Sequence, residues 1–165
     1  MELNENNDIV LYVGKLSEVY GANIISDMAD IDQNRTYLVI GDGPLRDQFE
    51  NHEHVNYLGY IPNDELPKYY NIADVTVGPR NMDGTSNVGL ESIACGTPYI
   101  TTAVGDIIEF AVEPGAYLRA ERKPAKVVEL LDELFRNDEE YDRQIQQGIE
   151  FIENNPLTLE SAIET

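Results

Sequence analysis

Ile9-Val10-Leu11-Tyr12-Val13-Gly14 is a continuous apolar run that stops at a glycine, and Thr36-Tyr37-Leu38-Val39-Ile40-Gly41 repeats the pattern. An unbroken apolar run closed by glycine predicts a strand buried on both faces that leaves its sheet into a loop. Between the two, Ile24, Ile25, Met28, Ala29 and Ile31 recur at helical spacing and predict an amphipathic helix. A strand, a helix and a strand in that order form the unit of a parallel sheet covered by helices.

The same grammar continues toward the C-terminus. Pro44 suits the first turn of a helix over residues 44–51, and Val55-Asn56-Tyr57-Leu58 is a short strand ending at Gly59. After Pro62, Asn63 or Asp64 can cap a helix carrying Leu66, Tyr69, Tyr70 and Ile72. Val75-Thr76-Val77 is a strand punctuated by Gly78-Pro79, and a helix over residues 87–95 ends at Gly96 ahead of Pro98. Tyr99-Ile100-Thr101-Thr102 is another strand, 107–112 another helical segment, and Ala116-Tyr117-Leu118 a last short strand. Two amphipathic helices follow, the first from Pro124 through Val127, Leu131 and Leu134, the second over residues 141–152. The expectation is an α/β fold, a Rossmann-like three-layer parallel sheet with helices on both faces. Ligands of such folds bind beyond the carboxyl ends of the strands. That directs attention to the loops at 14–21, 41–44, 59–62, 78–87 and 102–106.

Composition narrows the function classes. The 165 residues suit one domain, and their 42% hydrophobic fraction is ordinary for a globular protein. No stretch approaches the ~20 consecutive apolar residues needed to span a bilayer. Residues 1–8, Met-Glu-Leu-Asn-Glu-Asn-Asn-Asp, lack the basic and apolar regions of a signal peptide. Cys95 is the single cysteine, so no internal disulfide or cysteine-rich metal site is expected, and the expected location is cytoplasmic. With 31 acidic against 11 basic residues the formal charge is −20, a field that repels nucleic acid and anionic membrane. That field is screened beyond a Debye length of ~8 Å, so local donors decide whether an anionic ligand binds.

Three loops carry residues suited to such a ligand. Gly14-Lys15-Leu16-Ser17 places a cation beside backbone N–H groups ahead of a helix, where a phosphate can be held. Taken alone, Lys15 reads more plainly as a solvated surface lysine. Neither G-x-G-x-x-G nor G-x-x-x-x-G-K-[ST] is present, which removes the sharpest marker of dehydrogenases and P-loop enzymes. Gly41-Asp42-Gly43-Pro44 reads as a tight turn whose aspartate bonds its own backbone.

The richest segment is Arg80-Asn81-Met82-Asp83-Gly84-Thr85-Ser86-Asn87-Val88-Gly89-Leu90-Glu91. Thr85, Ser86 and Asn87 would present donors at the positive end of a helix. Glu91, one turn inside it and on the face of Asn87, suits the two hydroxyls of a vicinal diol such as ribose. Asp83 and Glu91 read equally as anions favoured by the helix dipole.

Strung together, these loops resemble the C-terminal domain of GT-B glycosyltransferases of family 4, the glycosyl transferases group 1. The resemblance runs over residues 9–120. Its pieces are Leu11-Tyr12-Val13-Gly14-Lys15-Leu16-Ser17, Leu38-Val39-Ile40-Gly41-Asp42-Gly43-Pro44-Leu45, Tyr57-Leu58-Gly59-Tyr60-Ile61-Pro62 and Ala73-Asp74-Val75. The strongest piece runs from Asp83 through Glu91 into Ser92-Ile93-Ala94-Cys95-Gly96-Thr97-Pro98, followed by Val104-Gly105-Asp106-Ile107-Ile108-Glu109.

The resemblance implies a retaining transferase that takes a hexose from a GDP-, UDP- or ADP-linked donor without metal or other cofactor. It implies that Glu91 holds the ribose hydroxyls and Asp83 contacts the sugar near its reacting carbon. Gly84, Thr85, Ser86, Asn87 and Val88 would put backbone N–H groups on the sugar or diphosphate. Lys15 would neutralise the diphosphate, Gly14 beside it would belong to the donor-binding set, and Tyr60 and Ile61 would lie beside the nucleobase. Asp83 and Lys15 are the residues it implies for catalysis.

Three departures stand out. Asp83 replaces a glutamate, Gly84-Thr85-Ser86 replaces Gly-Phe-Gly, and Tyr20 stands where a second lysine faces the diphosphate. Losing one such cation costs on the order of 1–3 kcal/mol. Residues 1–8 are expected to be a disordered or polar segment, 9–153 the nucleotide-sugar-binding domain, and 154–165 a polar tail. The acceptor-binding domain or subunit is expected to be missing from this chain, leaving it inactive alone, with any membrane association made through that missing half. No nucleic acid partner is expected. The alternative is a non-catalytic binding or interaction module with a degenerate nucleotide-sugar site. A flavodoxin-like or receiver domain would need a phosphate-loop or acidic signature at the first strand, which Gly14-Lys15-Leu16-Ser17 does not supply.

Overall fold

The computed structural model describes residues 7–81 and 86–156. The opening apolar run forms β1 (Ile9–Val13), and its repeat forms β2 (Thr36–Ile40). The two pair in parallel, from Ile9 against Thr36 to Val13 against Ile40. β3 (Val55–Gly59), β4 (Val75–Gly78), β5 (Tyr99–Thr101) and β6 (Leu118–Arg119) complete a six-stranded sheet in the order β3-β2-β1-β4-β5-β6, every pairing parallel. The expected α/β architecture, a Rossmann-like parallel sheet flanked by helices, is the one observed.

Alternate residues of one strand enter different cores, which is why β1 reads as an unbroken apolar run. Val10 and Tyr12 pack with Ile25 and Met28 of α1 (Ala22–Ile31) and with Val127 and Leu131 of α5 (Pro124–Arg136). Leu11 packs on the other face with Leu38, Ile40, and Leu66 and Tyr70 at α3 (Pro67–Ile72). A third cluster joins Ile93 of α4 (Asn87–Ala94) to Tyr99, Tyr117 and Phe151 of α6 (Asp138–Asn154).

Several local expectations shift, each because a specific bond competes. α2 spans Arg46–Glu50 and does not begin at Pro44: a turn precedes it, with the Arg46 N–H on the Gly43 carbonyl at 3.0 Å and the Leu45 N–H on the Leu16 carbonyl at 2.9 Å. No side-chain cap from Asn63 or Asp64 opens α3: a 3-10 turn (Asn63–Glu65) leads in, and Pro67 in the first turn needs no acceptor. Ile31 is 58% exposed and lies off the buried stripe of α1. Residues 108–112 form a π-helical turn, and Tyr117 donates its N–H to the Ala111 carbonyl at 2.9 Å, so the last strand starts only at Leu118. The last helix starts at Asp138, ahead of Tyr141, because the Asn137 side chain accepts the Glu140 N–H at its N-terminus.

The order of strands decides where a ligand can sit. From β1 the chain winds outward through β2 and β3, then returns to β4 on the other side of β1. The loops leaving β1 and β4 therefore diverge and leave a crevice between them at the carboxyl ends.

Candidate functional site

The β1 loop is shaped by its neighbours. The Gly14 N–H bonds the Ile40 carbonyl at 3.0 Å and the Leu16 N–H bonds the Asp42 carbonyl at 2.9 Å, while Leu16 is fully buried. Gly41, at φ +144°, allows this approach: a Cβ there would stand 1.8 Å from the Gly14 carbonyl oxygen. Asp42 accepts the Gly43 N–H at 2.8 Å, as a turn-forming aspartate does. With Leu16 anchored inward, Lys15 is left exposed at the crevice.

On the other side, α4 begins beyond β4. Ser86 is its N-cap, with its hydroxyl 3.4 Å from the Gly89 N–H. One turn in, Glu91 is half-buried and its Oε2 accepts the Tyr70 hydroxyl at 2.9 Å. Burial raises the Glu91 carboxyl above its ordinary value, against the downward pull of that hydrogen bond. Tyr70 is itself fixed by its backbone, whose carbonyl accepts the Thr97 hydroxyl at 2.7 Å. Ser92 lies 2.9 Å from the Thr97 carbonyl and 2.8 Å from the Thr76 hydroxyl. A carbonyl only accepts, so Ser92 donates to Thr97 and accepts from Thr76. This buried web locks α4 to α3 and β4, and thereby sets where Glu91 points.

Between the two walls lies a cavity of about 450 Å³. Gly14 and Lys15 line it from the β1 loop, Asp42 from the β2 loop, Tyr60 and Ile61 from the segment after β3, and Asn87, Val88 and Glu91 from α4. Tyr60 is 72% exposed, an aromatic face open to a planar group. An adjoining cavity of about 300 Å³ shares Gly14, Asn87 and Val88, and adds Tyr12, Tyr20, Arg80, Ser86 and Tyr99. Both volumes are in the range of small-molecule sites.

The candidate residues named from the sequence thus come together at one place: Gly14, Lys15, Tyr60, Ile61, Asn87, Val88 and Glu91 surround the first cavity, and Ser86 lines the second. Asp83, Gly84 and Thr85 lie outside the described residues. Tyr70, the partner of Glu91, was not singled out by sequence reasoning, nor was Arg80 as a lining residue. Tyr70 read only as an apolar helix position, and its hydroxyl is tied to Glu91 from 21 residues away, a relation no local spacing reveals. Cys95 is half-buried, and burial raises its thiol, which does not make a nucleophile.

Residues 1–151 match the family model described as glycosyl transferases group 1. An uncharacterized glycosyltransferase of Methanocaldococcus jannaschii is 32% identical over 149 residues, covering 86% of this chain and 42% of that protein. The chain spans less than half the length of the curated relatives it matches. The fold matches the crystal structure of the C-terminal domain of a glycosyl transferase group 1 family protein from Francisella tularensis, with a TM-score of 0.76 at 19% identity over 90% of this chain and 85% of that one. It matches equally the Anabaena protein HepE in complex with UDP-glucose, with a TM-score of 0.78 at 15% identity over 96% of this chain and 48% of that one. A parallel sheet with its crevice at β1 and β4, and a family match over nearly the whole chain, lead to one statement: the chain belongs to the glycosyl transferases group 1 family.

Proposed function

We propose that this chain is the donor-binding part of a retaining glycosyltransferase of family 4, taking a hexose from a nucleoside diphosphate sugar. The observation that carries this is the placing of Lys15 and Glu91 on opposite walls of one cavity. Glu91, its Oε2 fixed by Tyr70, accepts hydrogen bonds from the ribose hydroxyls. The base lies against Tyr60 and Ile61, and the phosphates run past Gly14, Lys15 and the start of α4, where the helix dipole and the lysine both favour negative charge. Asp83, by the resemblance, contacts the sugar near its reacting carbon.

In the transfer, the bond from the anomeric carbon to the distal phosphate oxygen breaks and its electron pair stays on the phosphate. The acceptor hydroxyl oxygen bonds that carbon from the same face, and its proton passes to the departing phosphate. Lys15 and backbone N–H groups stabilise the charge that grows on the leaving group. The chain supplies the donor wall of the reaction, and the acceptor is bound by sequence outside it. That is supported by the chain's coverage of less than half of each relative. Alone it binds donor and transfers sugar negligibly, because the acceptor is neither positioned nor shielded from water. The single cysteine suits a cytoplasmic location.

Thermal unfolding with UDP, GDP and ADP tests this reading. A ligand at a hundred times its dissociation constant stabilises by about 2.7 kcal/mol. One of the three is expected to raise the melting temperature of the wild type and not of Glu91→Ala. Silence from all three, in a folded sample, selects the second reading, a binding module with a degenerate site, which the charge of −20 and Tyr20 favour.

A further inference from the structure

The cavity between Lys15 and Glu91 and the one adjoining it share Val13, Gly14, Asn87 and Val88, and together form a donor trough at the carboxyl ends of β1 and β4. Its first part is lined by one lysine against two carboxylates, Asp42 and Glu91. Six of the chain's eleven cations, Arg35, Arg46, Lys68, Lys123, Lys126 and Arg143, are paired with its own carboxylates. The carboxylates left over set the formal charge of −20, and many of them lie on the two C-terminal helices.

Glu133 of α5 and Asp138, Glu139, Asp142, Glu150 and Glu153 of α6 are exposed and enter no ion pair among the described residues. They face solvent because the other side of each helix is apolar: Val127, Leu131 and Leu134 of α5 enter one core cluster, and Phe151 and Ile152 of α6 pack on another. None of the six lines either cavity. The Tyr141 hydroxyl donates to the Asp74 carbonyl at 2.7 Å, which puts the start of α6 at the amino end of β4, the end away from the trough. The four residues of β4 span about 13 Å. Across that separation a carboxylate acts on a ligand through solvent, and its reach is the Debye length: ~30 Å at ~0.01 M salt and ~3 Å at ~1 M. A domain of this length has a radius of gyration of about 15 Å. In dilute salt the whole surface is therefore felt in the trough, and in concentrated salt only the groups that line it.

We propose that electrolyte controls the donor site: the field of carboxylates outside the trough repels the diphosphate at low ionic strength, and salt admits it by screening that field. The inference rests on the nucleoside diphosphate reading of the trough. It inverts the usual behaviour of a phosphate site, in which salt screens the attraction and weakens binding. Here the repulsion acts over many ångströms and is lost first, while hydrogen bonds at about 3 Å lie within the shortest Debye length and persist.

The experiment is a calorimetric titration with the nucleoside diphosphate of whichever base the wild type binds. It runs from the lowest KCl concentration at which circular dichroism shows a folded chain up to about 1 M. Wild-type affinity is expected to rise about tenfold or more across that range. A triple variant, Glu133→Lys, Glu139→Lys and Asp142→Lys, moves the formal charge by six, from −20 to −14, without touching the trough. It is expected to bind about threefold or more tightly than the wild type at the lowest salt and equally at the highest. Should it not fold, Glu133→Gln, Glu139→Gln and Asp142→Asn together are expected to show the same trend at about half the size. The uncharged nucleoside, followed by amide chemical shifts, is expected to bind independently of salt. If its affinity rises in parallel with that of the diphosphate, salt acts on the fold and the proposal is overturned. Wild-type affinity that falls with KCl, or a variant whose salt curve parallels the wild type's, overturns the electrolyte control and leaves the donor reading standing. A wild type that binds no nucleoside diphosphate at any salt concentration overturns both.

Discussion

Replacing Tyr70 by Phe removes one hydroxyl from a buried ring and leaves the rest of α3 in place. That hydroxyl donates to Glu91 Oε2 at 2.9 Å, and the ring is 1% exposed. A hydrogen bond to a charged acceptor contributes about 1.5–3 kcal/mol when sealed from water, but Glu91 is only half-buried. Solvent screening brings the expected loss to about 1 kcal/mol. For a domain of this size that lowers the melting temperature by roughly 2–4 °C. Burial raises the Glu91 carboxyl and Tyr70 opposes the shift, so in Tyr70→Phe it rises further. A carboxyl raised by folding favours the folded state below its unfolded value and disfavours it as pH climbs through the folded one. The gap in melting temperature between wild type and Tyr70→Phe is therefore widest near neutral pH and narrows as the solution is acidified toward the titration of Glu91. Nucleoside diphosphate affinity falls about 3–10-fold, the cost of fixing a side chain that Tyr70 no longer fixes. Differential scanning calorimetry from acid to neutral pH, paired with isothermal titration, reads both effects. A pH-independent gap together with unchanged affinity refutes the reasoning.

Other substitutions separate function from stability. Glu91→Gln keeps an acceptor for Tyr70 and removes a half-buried charge, so its melting temperature at neutral pH is expected to match or exceed the wild type's. Its response to nucleoside diphosphate in a thermal shift is lost. Gly41→Ala places a Cβ 1.8 Å from the Gly14 carbonyl at φ +144°, so the β1 and β2 loops must separate. It is expected to lose about 2–4 kcal/mol in urea unfolding and its nucleotide affinity with it. Ser86→Ala removes a long capping bond of 3.4 Å from α4 and is expected to lose only about 0.5–1 kcal/mol in the same assay.

What was legible in the sequence was local. The runs at 9–13 and 36–40 read as strands because they are buried on both faces, and they are. Glu91 could be named because it lies one turn inside a helix whose polar start suits a hydroxyl-rich ligand, whereas Lys15 alone read as a surface lysine and gained its role only from the order of the loops taken together. The start of α2 could not be read, because the turn ahead of it is joined to another loop through the Leu45 N–H on the Leu16 carbonyl. Nor could the stack of Arg80 on Tyr20, which follows from β4 lying beside β1, a strand order that spacing along the chain does not encode. The partnership of Tyr70 with Glu91 escapes for the same reason: it joins two helices across the sheet's edge of the crevice.

Amide chemical-shift mapping of the isotope-labelled chain with UDP, GDP and ADP tests the donor trough most directly. The account predicts that one nucleotide perturbs Gly14, Lys15, Tyr60, Ile61 and Asn87 through Glu91 while leaving the groove between Phe110 and Phe151 untouched. Perturbations confined to that groove, or a spectrum unmoved by all three nucleotides at millimolar concentration, contradict it.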